Sequence, residues 1–310
     1  MQEKYTLSRR SGSSKESSNK ASPASDFKIA KTQLLCHFDD LPEWQKDNEY
    51  IHNGYVKETN SYKQILKSLS YLHNESVNIY THLLPGIVCL LLLLGVLEHK
   101  TMPKYATTSY LDYLVVNFFF LGVLFCFSMS AAFHCFKAHS ERVSIFGNKL
   151  DYLGIVFLII SSMVSIMYYG FYDRFLLFYF FTSITLIFGS MCTIVSLKDK
   201  FRAPHWRAKR ATMFVLFGLS AVLPLVYGLN SYGYEATTKK IGLNWVLLEG
   251  VFYISGATLY GLRFPEKQSP GQFDYFFNSH QIFHVLVVAG AIAHYVGLIK
   301  SYKYVHEYML

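Results

Sequence analysis

Seven apolar blocks, each about 20 residues long, constrain the fold of this chain more than any other feature. A helix of about 20 apolar residues crosses the ~30 Å hydrocarbon core of a bilayer. Only helices and closed barrels satisfy their backbone polar groups there. The sequence therefore predicts an all-α bundle of seven transmembrane helices. The blocks lie near residues 79–97, 111–134, 150–169, 175–197, 211–229, 241–261 and 280–299.

The composition agrees with a membrane protein and excludes several other classes. Hydrophobic residues make up 52% of the chain and charged residues 16%, whereas a soluble domain carries about 25% charged residues. The net charge of +8 is not gathered in one basic stripe, so we expect no nucleic-acid partner. The five cysteines are an odd number without Cys-x-x-Cys spacing, which argues against a disulfide framework and a zinc finger.

The segments outside the blocks divide the rest of the chain. Residues 1–25 are rich in Ser and Lys and are predicted to be a disordered cytoplasmic tail. Residues 26–78 are predicted to be a cytoplasmic or interfacial helical segment, because residues 61–72 place their apolar side chains on one helical face. The bundle itself is assigned to 79–299, and residues 300–310 to a non-cytoplasmic tail.

The basic residues predict the orientation of the bundle. Cytoplasmic loops of membrane proteins carry an excess of Lys and Arg. Of the 29 Lys and Arg residues, 22 precede the first block or lie in loops on the same side of the membrane. We therefore expect a cytoplasmic N-terminus and a C-terminus on the far side, which is inverted relative to G-protein-coupled receptors. The expected location is the endoplasmic reticulum or the plasma membrane.

Histidines at the ends of the blocks predict a metal site. His280 and His284 lie four residues apart at the start of block seven, so both face one side of a helix, as two ligands of one metal do. Two interior, hydrogen-bonded histidines are the alternative for this pair. His134 ends block two on the same side of the membrane, and three histidines with a water form the open catalytic pattern of zinc. We predict zinc bound by these three residues.

Two further polar residues share this layer. Asp151 begins block three, and Ser130 precedes His134 by one helical turn. Asp151 could orient the zinc-bound water or accept its proton, and Ser130 could hydrogen-bond to it. These two residues are the predicted catalytic groups.

Other polar residues near or inside the blocks leave alternatives open. Glu75, Asn78 and His82 lie at the entry of block one. They form either a polar network near the site or, as we favour, helix caps and interface hydrogen bonds. Glu249 lies inside block six without a role that the sequence assigns, and His294 is too far along block seven to share the metal.

Six stretches in chain order resemble the progestin and adipoQ receptor family, which includes the adiponectin receptors and is related to haemolysin III-like proteins. The amino-acid sequence of several stretches resembles the fungal branch of the family, which is linked to zinc and lipid homeostasis. The resemblance implies a seven-helix bundle with a cytoplasmic N-terminus. It also implies zinc on His134, His280 and His284, with Ser130 and Asp151 beside the zinc-bound water. The stretches are Leu41–Trp44, His73–His82, Ser130–His134, Lys149–Gly154, Arg263–Glu266 and Ser279–His284.

Two functions follow from this resemblance and from the polar layer. The first is a zinc-dependent hydrolase of ceramide-type amides in lipid metabolism and zinc homeostasis, with membrane lipids as its partners. The second is a receptor in which zinc is structural; the sequence names no signalling partner for it. Zinc transport is less favoured, because transport needs polar groups along the depth of the membrane and these ligands cluster at one level.

Overall fold

The computed structural model describes residues 34–95 and 102–310. Seven helical segments within these residues are long and apolar enough to cross a membrane. This finding confirms the predicted all-α architecture with seven transmembrane helices. The predicted tail of residues 1–25 lies outside the described residues.

The regular secondary structure of the described residues is helical apart from one short strand pair. Strands β1 (Leu35–Cys36) and β2 (Tyr55–Val56) pair antiparallel. Short 3-10 turns occupy Phe38–Asp40, Glu43–Gln45, Ser68–Ser70, Asp199–Arg202 and Pro204–Trp206. The α-helices are α1 (Tyr62–Lys67), α2 (Ser76–Leu93), α3 (Tyr110–Phe136), α4 (Glu141–Gly170), α5 (Phe175–Ser196), α6 (Arg207–Leu219), α7 (Val222–Ile241), α8 (Leu243–Leu262) and α9 (Ser279–Tyr308).

Two helices extend well beyond their apolar blocks. Helix α4 begins at Glu141 rather than near residue 150, and α9 continues to Tyr308 rather than ending near residue 299. Hydropathy marks only the part of a helix that meets hydrocarbon, whereas the helix continues wherever its backbone bonds and buried face are maintained. In the last turns of α9, Tyr302 and Val305 have no exposed surface.

The fifth span is interrupted. It covers Pro204–Ile241, but α6 ends at Leu219 and α7 begins at Val222. Pro224 is tolerated there because it falls in the first turn of α7, where backbone N–H groups have no intrahelical acceptor. Gly233 breaks α7 again with φ of 78°, a backbone conformation that glycine adopts without steric cost.

Close helix packing positions the polar layer. An ideal Cβ added to Gly154 of α4 would lie 2.9 Å from the Cα atom of Cys126 on α3, so these backbones meet because residue 154 lacks a side chain. Phe119 and Phe127 of α3 then pack in one apolar cluster with Leu298 of α9. Helix α3 is thereby held against both α4 and α9.

The segment before α2 packs on the rest of the chain through buried carboxylates. Asp274 accepts hydrogen bonds from the backbone N–H groups of His52 and Asn53, at 2.7 and 3.0 Å. Glu266 is fully buried and accepts from the side chain of Asn48 at 3.1 Å. These bonds fix the segment beside the first turn of α9.

Candidate metal centre

Three histidines from two helices meet in one buried cluster. His134 lies near the end of α3, and His280 and His284 lie in the first two turns of α9. One ring nitrogen from each lies within 4.8 Å of the others. His134 and His284 are each only 2% exposed. The cluster could hold a metal ion, and it contains the three ligands that the sequence predicted.

The start of α9 is fixed by two caps. The side chain of Asn278 accepts a hydrogen bond from the backbone N–H of Gln281 at 3.2 Å. The backbone N–H of Ser279 donates to the Glu266 carboxylate at 2.7 Å. These bonds satisfy the free N–H groups of the first turn, and they set the rotation at which His280 and His284 enter the cluster.

A carboxylate orients His134. Its Nδ1 lies 2.7 Å from Oε2 of Glu75, whose Oε1 accepts from Nζ of Lys137 at 2.7 Å. Because a carboxylate accepts hydrogen bonds, the His134 proton sits on Nδ1 and Nε2 is left as the ligand atom. That Nε2 is buried and has no hydrogen-bond partner among the described residues. This is the arrangement expected of a metal-binding histidine.

The same carboxylate is held in its charged form. Burial alone would raise the pKa of Glu75, but Lys137 and His134 beside it hold that pKa well below its usual range. The charged form of Lys137 is stabilised as well. Burial lowers the pKa of Lys137, but Glu75 and Asp47 raise that pKa above its ordinary value. The ion pair therefore supplies a fixed negative charge next to the cluster.

A backbone carbonyl orients His284. Its Nδ1 lies 3.1 Å from the carbonyl oxygen of Asn78 and 3.4 Å from Oγ1 of Thr81. Since a carbonyl only accepts, Nδ1 of His284 carries the proton, and Nε2 is available as a ligand. His280 is held instead by packing, with the Tyr260 ring 4.9 Å away in an edge contact.

The structure corrects the favoured interpretation of Glu75, Asn78 and His82. Glu75 occupies the N-cap position of α2 but makes no side-chain cap bond. Its carboxylate accepts from Nδ2 of Asn78 at 2.6 Å as well as from His134. His82 stacks on His284 with ring centroids 3.9 Å apart. The capping part of that interpretation is wrong, whereas its interface hydrogen bonds are present, since Glu75 bonds to His134 and Asn78 to His284; the three side chains lie on one helical face that is turned to the cluster. Their spacing of three and four residues is the signal that identifies such a face.

The two predicted catalytic residues lie beside the histidines. Ser130 and Asp151 line one cavity together with His280 and His284. The Ser130 hydroxyl approaches the Asp151 carboxyl group without completing a hydrogen bond of ordinary geometry, and His134 lies close enough to act on its charge. Ser130 Oγ is buried and unpartnered within the described residues. The structure thus brings both groups into the predicted layer, and their catalytic roles stay a prediction.

The part of the chain that carries this cluster matches a known protein family. The family described as haemolysin-III related matches residues 70–295, from the Glu75 segment to α9. The chain belongs to the haemolysin-III-related family. With seven apolar helices, this family member is a multi-pass integral membrane protein.

Several proteins resemble this haemolysin-III-related chain along most of its length, and two of the three described next carry receptor names. It is 52% identical to the ADIPOR-like receptor IZH2 of Saccharomyces cerevisiae, over 92% of this chain and 90% of that protein. It is 38% identical to the adiponectin receptor protein of Drosophila melanogaster, over 87% of this chain and 60% of that protein. It is 33% identical to heptahelical transmembrane protein 3 of Arabidopsis thaliana, over 84% of this chain and 86% of that protein. It is therefore adiponectin-receptor-like.

The cavity of this haemolysin-III-related protein runs away from the histidines along the bundle. It has a volume of about 920 Å³ and extends from Lys137 beside the histidines to Lys240 at the end of α7. That volume lies at the upper end of the range for small-molecule sites. Much of its wall is apolar, so it suits a long apolar molecule with a polar head at the histidines. Apolar lining residues include Ile159, Met163, Phe214, Leu225, Val246, Val251 and Ile254.

Proposed function

We propose that this protein is a zinc-dependent hydrolase of ceramide-type amides, acting in lipid metabolism and zinc homeostasis. The observation that carries the proposal is a buried three-histidine cluster that opens onto an elongated, largely apolar cavity. Neutral imidazoles are ordinary zinc ligands, and three of them leave a fourth position open. His134, His280 and His284 would hold the ion, which when bound polarises a carbonyl and lowers the pKa of its water to about 7.

The residues around the cluster have distinct roles in this proposal. Asp151 accepts the proton of the attacking water and returns it to the leaving amine, as a general base and then a general acid. The unpartnered hydroxyl of Ser130 hydrogen-bonds to the polar head of the substrate. Glu75 keeps the His134 proton on Nδ1, which prevents that histidine from presenting its N–H to the ion.

The cavity defines the substrate class. A ceramide-type lipid joins a polar amide head to a long acyl chain, and the cavity offers the polar groups around the histidines and a largely apolar wall along its length. With the cytoplasmic N-terminus that the basic residues predict, the amide would be hydrolysed near the cytoplasmic face of the endoplasmic reticulum or plasma membrane.

Substitution of Asp151 tests this proposal. Asp151→Asn is expected to keep zinc and to lose hydrolysis of a fluorescent ceramide by purified protein, because the amide cannot accept a proton. General acid–base catalysis typically contributes about 10²- to 10⁴-fold, so a loss of at least about 100-fold is expected. Asp39→Asn is the control, since Asp39 is exposed in the Phe38–Asp40 turn and does not line the cavity. Equal turnover by wild type and Asp151→Asn would refute the proposal.

A receptor with a structural metal is the second candidate. It is favoured by one observation: the cluster and its Glu75 support join α2, α3 and α9, so a bound ion would clamp three helices together. In that case His280→Ala should lower the melting temperature and signalling together, and Asp151→Asn should be mild. A His280→Ala protein that has lost zinc but melts like wild type would exclude this function.

A further inference from the structure

A second polar cluster lies deeper in the bundle and is not used by the proposed reaction. His294 Nδ1 of α9 lies 2.8 Å from Oε2 of Glu249 on α8, and His294 Nε2 lies 3.3 Å from Oγ of Ser165 on α4. His294 is ten residues beyond His284, which corresponds to about 15 Å along a helix. Ionisable groups at membrane depth are costly and by default suggest a functional site.

The hydrogen bonds of this cluster determine its charge. Oγ of Ser165 donates its only proton to the carbonyl oxygen of Ser162 at 2.9 Å, so it accepts from Nε2 of His294. With Nε2 protonated, one further proton is shared between His294 Nδ1 and Glu249. The pair is therefore neutral as a whole, which lowers the cost of burying it.

Three polar atoms of the cluster have no hydrogen-bond partner among the described residues. The Oη atom of Tyr253 and the Oγ atom of Ser162 are buried and unpartnered within the part of the chain that the structure describes. No hydrogen bond from those residues reaches Oε1 of Glu249. Ser162 is only 4% exposed, and all three residues line the cavity. Buried polar groups without partners are rare in native structures, so the hydroxyls of Tyr253 and Ser162 are available to a polar group that enters the cavity.

Two other functions of the cluster do not fit its geometry. A nucleophilic serine would have to contact substrate, but Ser165 has no exposed surface and does not line the cavity. A second metal would need three or more ligands. Glu249 and His294 belong to no group of that size within the described residues, where only the three-histidine cluster meets that criterion. Binding of an uncharged polar group remains.

We propose that Glu249, Tyr253 and Ser162 form a subsite for a hydroxyl group carried in the middle of an acyl chain. A hydroxyl donates one hydrogen bond and accepts others, which matches the free carboxylate oxygen of Glu249 and the two free protein hydroxyls. The inference rests on the proposed function to the extent that a lipid must enter the cavity with its head at the histidines. The ~15 Å separation then places the recognised hydroxyl far from the head group.

The Tyr253 ring is held in this position by a glycine. An ideal Cβ on Gly290 of α9 would lie 2.3 Å from Cε1 of Tyr253, so the ring packs directly on the α9 backbone. The next turn of α9 carries His294. Tyr253 follows Glu249 by four residues on α8, so both side chains lie on one helical face.

A comparison of two matched fatty acids tests the inference. Zinc-loaded, full-length protein in lipid nanodiscs is titrated with oleate and with ricinoleate, which is oleate bearing a mid-chain hydroxyl. We expect ricinoleate to bind about fivefold more tightly, the effect of one net hydrogen bond. Oleate hydroxylated beside its carboxyl group should show no gain. The same comparison with the sphingosine amides of the two acids shows whether the acyl chain is recognised as a free acid or within a larger lipid.

Two conservative variants connect this preference to the subsite. Tyr253→Phe removes only an unpartnered hydroxyl, so it should keep oleate affinity and lose the preference for ricinoleate. Ser162→Ala should reduce the preference in the same way. Tyr168→Phe is the matched control, because Tyr168 lies on α4 and does not line the cavity; it should keep the preference.

The outcomes separate this inference from the proposed function. If oleate and ricinoleate bind equally, or if Tyr253→Phe keeps the full preference, the hydroxyl subsite is overturned and the lipid-binding cavity stands. If neither acid nor either amide binds, lipid occupancy of the cavity is overturned, and the proposed function and the subsite fall together.

Discussion

Replacement of Glu75 by glutamine is the sharpest test of how the candidate metal centre is supported. The carboxylate touches three groups at once: His134 at 2.7 Å, Lys137 at 2.7 Å and Asn78 at 2.6 Å. Glutamine keeps the shape but loses the negative charge, and its amide can present an N–H to His134 instead of an acceptor. The tautomer that leaves Nε2 free is then no longer enforced.

The expected loss follows from the contacts. Removal of an outer partner of a metal-binding histidine typically costs about 10- to 100-fold in metal affinity, which corresponds to about 1.4–2.7 kcal/mol. The metal-free protein also loses folding stability, because Lys137 loses its partner. This loss should be below the ~3–5 kcal/mol of a fully buried pair, since the Lys137 side chain is 20% exposed and Asp47 also acts on it.

The assay is competition for zinc between purified protein and a chromophoric chelator. Glu58→Gln is the control, because Glu58 is exposed and bonds to Asn60 rather than to the cluster. A double-mutant cycle with Lys137→Met separates the orienting bond to His134 from the ion pair with Lys137. Zinc affinity of Glu75→Gln equal to that of wild type would refute the conclusion that this carboxylate supports a metal site.

Two further predictions concern the scaffold. Gly154→Ala should destabilise the protein by about 1–3 kcal/mol and lower its melting temperature, because the new Cβ meets the backbone of Cys126 at 2.9 Å. Gly250→Ala, with nothing within 4 Å, should be mild, and equal effects would contradict this packing argument. The Asp173–Lys240 pair, 2.6 Å apart, should stabilise the protein by at most about 1 kcal/mol. Burial raises the Asp173 pKa, but Lys240 lowers it to a net value below the ordinary one. The pair therefore stabilises the folded protein fully above about pH 3.9, and this stabilisation is lost as the pH falls through the Asp173 pKa of the folded protein. Melting curves of wild type and Asp173→Asn should converge on acidification, and a constant difference would exclude this origin.

The spans and the three histidines could be predicted because each depends on local periodicity. His280 and His284 share a face by spacing alone, and His134 ends a block whose direction is set by counting spans. The role of Glu75 could not be predicted, because its partner His134 is 59 positions away and the contact depends on how α2 rotates against α3. The pairing of Glu249 with His294, 45 positions apart, depends in the same way on the packing of α8 against α9.

The two polar clusters offset the free-energy cost of burying charge in different ways, and their depth in the membrane explains the difference. Glu75 and Lys137 lie just outside the ends of their spans, where both groups can remain ionised as a pair. Glu249 and His294 lie within spans, and the bonds of Ser165 leave them one shared proton. A neutral pair of this kind can often be replaced by apolar residues at little cost in stability. If stability alone were at issue, α8 would not need a glutamate here, and the free atoms beside it are better explained by a ligand than by the fold.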